Sequence, residues 1–96
     1  MDKKENRYHL RLDQIAAKTD TFEPASLELE FSNHDDILHI VRLMQAKPMF
    51  TDPNEAAQFA LGLKLFSEVM LKHRNHPLFE ELGQAFGPFM KKLKAG

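Results

Sequence analysis

The stretch from Asp52 to Arg74, DPNEAAQFALGLKLFSEVMLKHR, limits the folds open to this chain more than any other part of it, because it carries two apolar ridges. Asp52 is placed to cap a helix, Pro53 falls at the first helical position where its missing N–H costs nothing, and Glu55 has the spacing of a capping box. Ala56, Phe59, Leu63, Phe66 and Met70 then alternate in spacings of three and four, which draws one apolar stripe along the helix. Leu61, Leu65 and Val69, each four residues apart, form a second ridge on roughly the opposite side at about 100 degrees per residue. Only Lys64, Glu68 and Lys72 make a clear polar strip. Such a helix, expected over residues 53–73, needs cover on two sides, whereas an ordinary surface helix needs it on one.

Size decides how that cover can be supplied. Ninety-six residues suffice for one domain with a modest core and are too few for a cleft between two lobes. With 43% hydrophobic and 28% charged residues the chain reads as globular rather than disordered. The N-terminus MDKKENRYHL has charges but no apolar run after them, so no secretory signal is expected, and no stretch approaches membrane-spanning length. The absence of Cys excludes disulfides, thiolate nucleophiles and Cys-based zinc sites, and makes the cytoplasm the expected compartment. A formal net charge of −1 argues against a dedicated nucleic-acid binder. The charge is unevenly placed: residues 12–36 carry seven acids and one base, whereas Lys3, Lys4, Arg7 and Arg11 precede them and Lys91, Lys92 and Lys94 close the chain. A solvated surface with a basic tail at each end accounts for that distribution.

Along the chain, residues 1–6 are expected to be a disordered tail and residues 7–94 a single compact domain. Tyr8, Leu10 and Leu12 alternate with Arg7, His9, Arg11 and Asp13, the period of a half-buried strand that Ile15, Ala16 and Ala17 can extend. KTDTFEPA reads as a turn region, and Leu27, Leu29 and Phe31 repeat the alternation with Ser26, Glu28, Glu30 and Ser32 facing out. The two strands are expected to pair as an antiparallel hairpin with Arg7 and Arg11 opposite Glu28 and Glu30. Asn33 then has the place of a helix cap, with Asp35 and Asp36 in the first turn and Ile37, Leu38, Ile40, Val41 and Met44 as the buried face of a helix ending near Ala46. Lys47 and Pro48 stop it, and Met49 and Phe50 are expected to fold back onto the core. After the long helix, Pro77 suits the start of another, in which Leu78, Leu82, Phe86, Phe89 and Leu93 recur at helical spacing. Gly83, Gly87 and Pro88 interrupt it, which leaves two short helices or one kinked at Pro88. The fold class is therefore α+β: a two-stranded antiparallel hairpin followed by three or four helices.

Chemistry-bearing clusters are sparse. His34, Asp35 and His39 are the most ligand-like: Asp35 and His39 fall one helical turn apart and have the chemistry to share a zinc ion, but His34 and His39 diverge. Helix capping with an exposed Asp–His pair explains the same residues. His73, His76 and Glu80 have ligand spacing that Pro77 breaks, and Ser26, Ser32 and Ser67 lack a nearby His and a Gly-rich elbow. No phosphate-binding glycine loop is present, and the five Met residues read as core filling. No catalytic residue, metal or cofactor is assigned.

RYHLRL, LELEFSNHDDI, AAQFALGLKLFSEVML, HPLFEELG and FMKKLK, spread over Arg7 to Lys94, resemble a family of short bacterial proteins classed as a domain of unknown function. The resemblance implies a compact bacterial domain that stands alone, and it carries over no activity, cofactor or catalytic residue.

These observations favour a non-enzymatic interaction module over an enzyme. The two ridges of the long helix are satisfied either within one chain or by a symmetric homodimer through Leu61, Leu65 and Val69, beside which Gly62 allows close approach. The competing readings are a small-molecule binder between the long helix and the Phe-rich C-terminal segment, and a metal-dependent activity at His34, Asp35 and His39.

Overall fold

In the computed structural model, which describes residues 5–18, 23 and 25–96, two strands are followed by three α-helices. Strands β1 (Asn6–Asp13) and β2 (Ser26–Asn33) form a two-stranded antiparallel sheet, and helices α1 (Ile37–Ala46), α2 (Pro53–Lys72) and α3 (Glu80–Ala95) follow, with one 3-10 turn over Pro77–Phe79. The α+β expectation is met. Two compact units divide the chain, Met1–Asp36 and Ile37–Gly96.

In the first unit the hairpin register places Tyr8 opposite Phe31, Leu10 opposite Leu29 and Leu12 opposite Leu27. All six therefore share one face, as the two-residue period requires. Tyr8 stacks on Phe31 with ring centroids 5.5 Å apart, and its hydroxyl donates to the Asp35 carbonyl at 3.0 Å. Asn6 Nδ2 donates to the same carbonyl at 3.2 Å, so two side chains of β1 hold the turn that leaves β2. On the polar face the charge matching is real but one step out of the expected arrangement. Arg7 lies opposite Ser32 and reaches diagonally to Glu30 at 3.5 Å, while His9 reaches Glu28 at 2.9 Å. Arg11 does sit opposite Glu28, yet its guanidinium turns along its own strand to Asp13 at 3.0 Å. These contacts are exposed and worth at most about 1 kcal/mol each.

Two local expectations need correction. β1 ends at Asp13 rather than running on through Ala17, with one further ladder bond from Gln14 N–H to the Ala25 carbonyl, and Ile15 is exposed. The expected turn over 18–25 lies for the most part outside the described residues, as does most of the expected N-terminal tail. Asn33 does not cap α1. It is the last residue of β2, buried, and its Oδ1 accepts from the Asp35 N–H at 2.9 Å. An Asn side chain that bonds the backbone two residues on makes its own turn, so α1 starts only at Ile37 and Asp35 and Asp36 precede the helix.

In the second unit, α2 begins as its sequence requires. Asp52 Oδ1 accepts from Asn54 N–H at 2.9 Å, its carbonyl accepts from Ala56 N–H at 3.1 Å, and Pro53 occupies the first turn. Glu55 lies in that turn, where the helix dipole favours it, without closing the reciprocal bond of a capping box. The core forms where α1 crosses α2. Met44, Ala56, Ala60 and Leu93 are buried together, with Ile40, Val41, Phe50, Phe59, Leu63 and Met90 packed around them. Phe50 folds back as expected and meets Phe59 at 5.2 Å, whereas Met49 is 46% exposed. Leu38 was expected in the buried face of α1 and is 58% exposed, because it sits about 100 degrees around the helix from Ile37.

The C-terminal segment is one α-helix after a 3-10 turn. His76 Nδ1 accepts from Leu78 N–H at 3.0 Å, which caps that turn, and Pro77 supplies its first residue. Helix α3 continues through Pro88, whose missing N–H leaves the Gln84 carbonyl without its helical donor. Lys47 Nζ donates to the Gly96 carbonyl at 3.0 Å and so joins the end of α3 to the end of α1.

Candidate interaction surface

The two faces of α2 inside the helical unit are packed by different chemistry. Ala56 and Ala60 have no accessible surface, and side chains this short let α1 lie close on that face. Ser67 is buried on the same side, with its hydroxyl 3.5 Å from the Lys64 carbonyl. Toward α3 the contact is made by rings. Phe59 meets Phe89 edge-on at 6.5 Å, Phe66 meets Phe79 at 6.3 Å, and Phe86 lies 6.1 Å from Phe89. The first two are edge-to-face pairs, worth about 0.5–1.5 kcal/mol each beyond their buried area, whereas Phe86 and Phe89 are tilted neighbours within α3.

Rings in edge contact hold two helices together without sealing the space between them. A trough of about 300 Å³ runs between α2 and α3, lined by Leu63, Phe66, Leu82, Ala85, Phe86 and Phe89, with no polar atom in its lining. Its rim is apolar too: Val69 is 52% exposed, Phe66 44%, Leu82 42% and Phe89 41%. Val69 follows Phe66 by three residues on α2, so the two side chains are surface neighbours. The ridge of Leu61, Leu65 and Val69 thus meets the trough at Val69, while Leu61 and Leu65 are half-buried.

Toward the N-terminal end of α3 a second depression of about 360 Å³ is bounded by Met70, Phe79 and Phe86 together with Arg74, Glu80 and Gln84. At the open end of the hairpin a third, of about 430 Å³, is bounded by Leu12, Asp13, Gln14, Ala25, Ser26 and Leu27.

The ligand-like residues of the sequence occupy ordinary places. His34 Nε2 stands 3.6 Å from Asp35 Oδ1 in the turn after β2, and His39 lies in the first turn of α1. Among the described residues no three His, Asp or Glu side chains converge so as to hold a metal ion. His76 spends its Nδ1 on capping and sets its ring 6.2 Å from Phe79, and the backbone N–H of His73 bonds the Met70 carbonyl at the end of α2. Among the described residues no helix is long and apolar enough to cross a membrane.

Two features escaped sequence reasoning. Ala60 and Ser67 are buried although neither belongs to the five-residue stripe, because the tightest packing on α2 follows its small side chains. Phe66 and Phe89 belong to the expected apolar stripes and are exposed at the trough. The sequence signal for both lay in residue size: Ala56, Ala60 and Ser67 form a small-residue face of α2, and Phe59 and Phe66 stand at its edge.

Comparison with solved structures places a protein of unknown function from Pectobacterium atrosepticum beside this chain. The two are 36% identical and superpose with a TM-score of 0.82, over 96% of this chain and 99% of the other. Comparison with curated proteins gives no match. A family model described as a domain of unknown function with a solved structure, DUF3861, matches residues 6–95, across both units, and the chain belongs to that family.

Proposed function

We propose that this chain is a non-enzymatic interaction module that associates with a second copy of itself through the apolar surface of α2 and α3. The carrying observation is the trough between those helices, apolar throughout its lining, with Phe66, Leu82 and Phe89 exposed along it and Val69 exposed one turn on from Phe66. Large apolar side chains grouped at one place mark association surfaces, whereas scattered ones need no explanation. A polar small ligand would find no directional partner in that lining, and a second apolar surface needs none. The same surface on a second copy is a complement of the right chemistry, and a net charge of −1 sets little repulsion between copies. Leu61 and Leu65 form the half-buried flank of the interface and Val69 its exposed edge.

Sedimentation equilibrium over a range of concentrations tests the reading. The chain is expected to rise from its monomer mass of 11.1 kDa toward twice that value, and Leu82→Glu or Phe89→Glu to stay at the monomer mass. Leu82 makes none of the ring contacts between α2 and α3, whereas Phe89→Glu also removes the contact with Phe59, so circular dichroism is used to show that each variant keeps its helices. A wild-type chain that remains monomeric at every concentration contradicts the proposal.

A further inference from the structure

Helix α3 is polarised along the edge of the trough. Its first turn carries Glu80 and Glu81 and its last turn Lys92 and Lys94. Glu81 and Lys92 are eleven residues apart, which is three turns plus about 20 degrees, so they lie on one line about 16 Å apart along the axis. Ala85 and Pro88 fall on the same line between them, and Leu82 and Phe89 flank it on the trough side. All six side chains are exposed, and neither Glu81 nor Lys92 makes an ion pair among the described residues.

A line that is acidic at one end, small in the middle and basic at the other is complementary to itself when reversed. We infer that two copies dock with their α3 helices antiparallel across a twofold axis near Phe86 and Gly87, with Glu81 of each against Lys92 of the other. This inference rests on the self-association reading above and gives it an orientation. The small side chains of Ala85 and Pro88 meet at the axis and let the helices approach. Leu82 of each copy then lies on the same side as Phe89 of the other and close to its level, so the two apolar side chains cover one another across the axis. A parallel arrangement would instead set Glu81 against Glu81 and Lys92 against Lys92, and is disfavoured by both. Acids at the start of a helix and bases at its end also suit the helix dipole within one chain. The experiment has to separate that local role from pairing between copies.

Complementary charge reversal does so. Glu81→Lys gives a chain with Lys at both positions and Lys92→Glu one with Glu at both, so each should self-associate about tenfold more weakly than wild type, two pairs having turned repulsive. Mixed one to one, the two variants should regain wild-type affinity as a heterodimer, because every facing pair is again opposite in sign. Helix content by circular dichroism shows whether each variant keeps its fold. As a measurement free of substitution, wild-type association should weaken with rising salt. A wild-type dimer whose variants do not recover on mixing overturns the antiparallel pairing and leaves self-association standing. A salt-insensitive wild-type dimer does the same. A wild-type monomer overturns both.

Discussion

Replacing Ala60 by Leu tests the difference between the two sides of α2. Ala60 has no accessible surface and sits in one cluster with Met44, Ala56 and Leu93 where α1 crosses α2. Leu adds three carbons at a point where no space exists for them, so α1 must shift or side chains must leave their rotamers. Overpacking of this kind costs about 1–3 kcal/mol, and a fully enclosed site between two helices belongs in the upper half of that range, about 2–3 kcal/mol. A chain of this size has a total stability of only about 5–15 kcal/mol, and each kcal/mol moves the melting temperature by about 4–8 °C. Thermal unfolding followed by circular dichroism should therefore show Ala60→Leu melting roughly 8–24 °C below wild type. Urea titration should give a lower midpoint with an unchanged slope, since the folded state keeps its extent of burial. A variant that melts within experimental error of wild type would refute the claim that close approach of α1 to α2 depends on small side chains at this face.

The other stability effects are smaller, and the two differ in sign. Asp52→Ala removes the side-chain acceptor for Asn54 N–H and should cost about 1 kcal/mol, read as a lower midpoint in the same urea titration. Gly62→Ala should stabilise by about 0.5–1 kcal/mol, because a Cβ there meets nothing within 4 Å and Gly is the poorer residue in a helix interior. A loss of stability at that position would mean that something packs against it.

How much of this was legible in sequence depends on the range of the interaction. The strand faces, the Asp52 cap, the Pro77 start, the end of α1 and the boundaries of α2 are set by residues within a few positions of one another, and these are readable to within a residue or two. Asn33 is ambiguous in sequence because the same side chain that caps helices also makes turns, and only the backbone two residues on decides between them. Pro88 left one helix or two open. A single missing N–H is tolerated when the residues on either side of it, from Leu82 to Leu93, share one apolar face. The trough was the least legible feature. Periodicity identified Phe66, Leu82 and Phe89 as members of apolar stripes, but whether a stripe is covered depends on how near the next helix comes. That distance is set by ring-to-ring contacts between residues more than twenty positions apart, such as Phe59 and Phe89.

The most direct test of the docked pair uses the absence of Cys in the chain. A single nitroxide label at Ala85→Cys, the exposed small residue of α3 beside the proposed twofold axis, reports only distances between copies. With antiparallel helix axes about 8–10 Å apart, dipolar spectroscopy should find the two labels within about 20 Å of each other. The signal should vanish on dilution with unlabelled chain. No dipolar coupling at high protein concentration, or a distance far beyond that range, would contradict an interface built on α2 and α3.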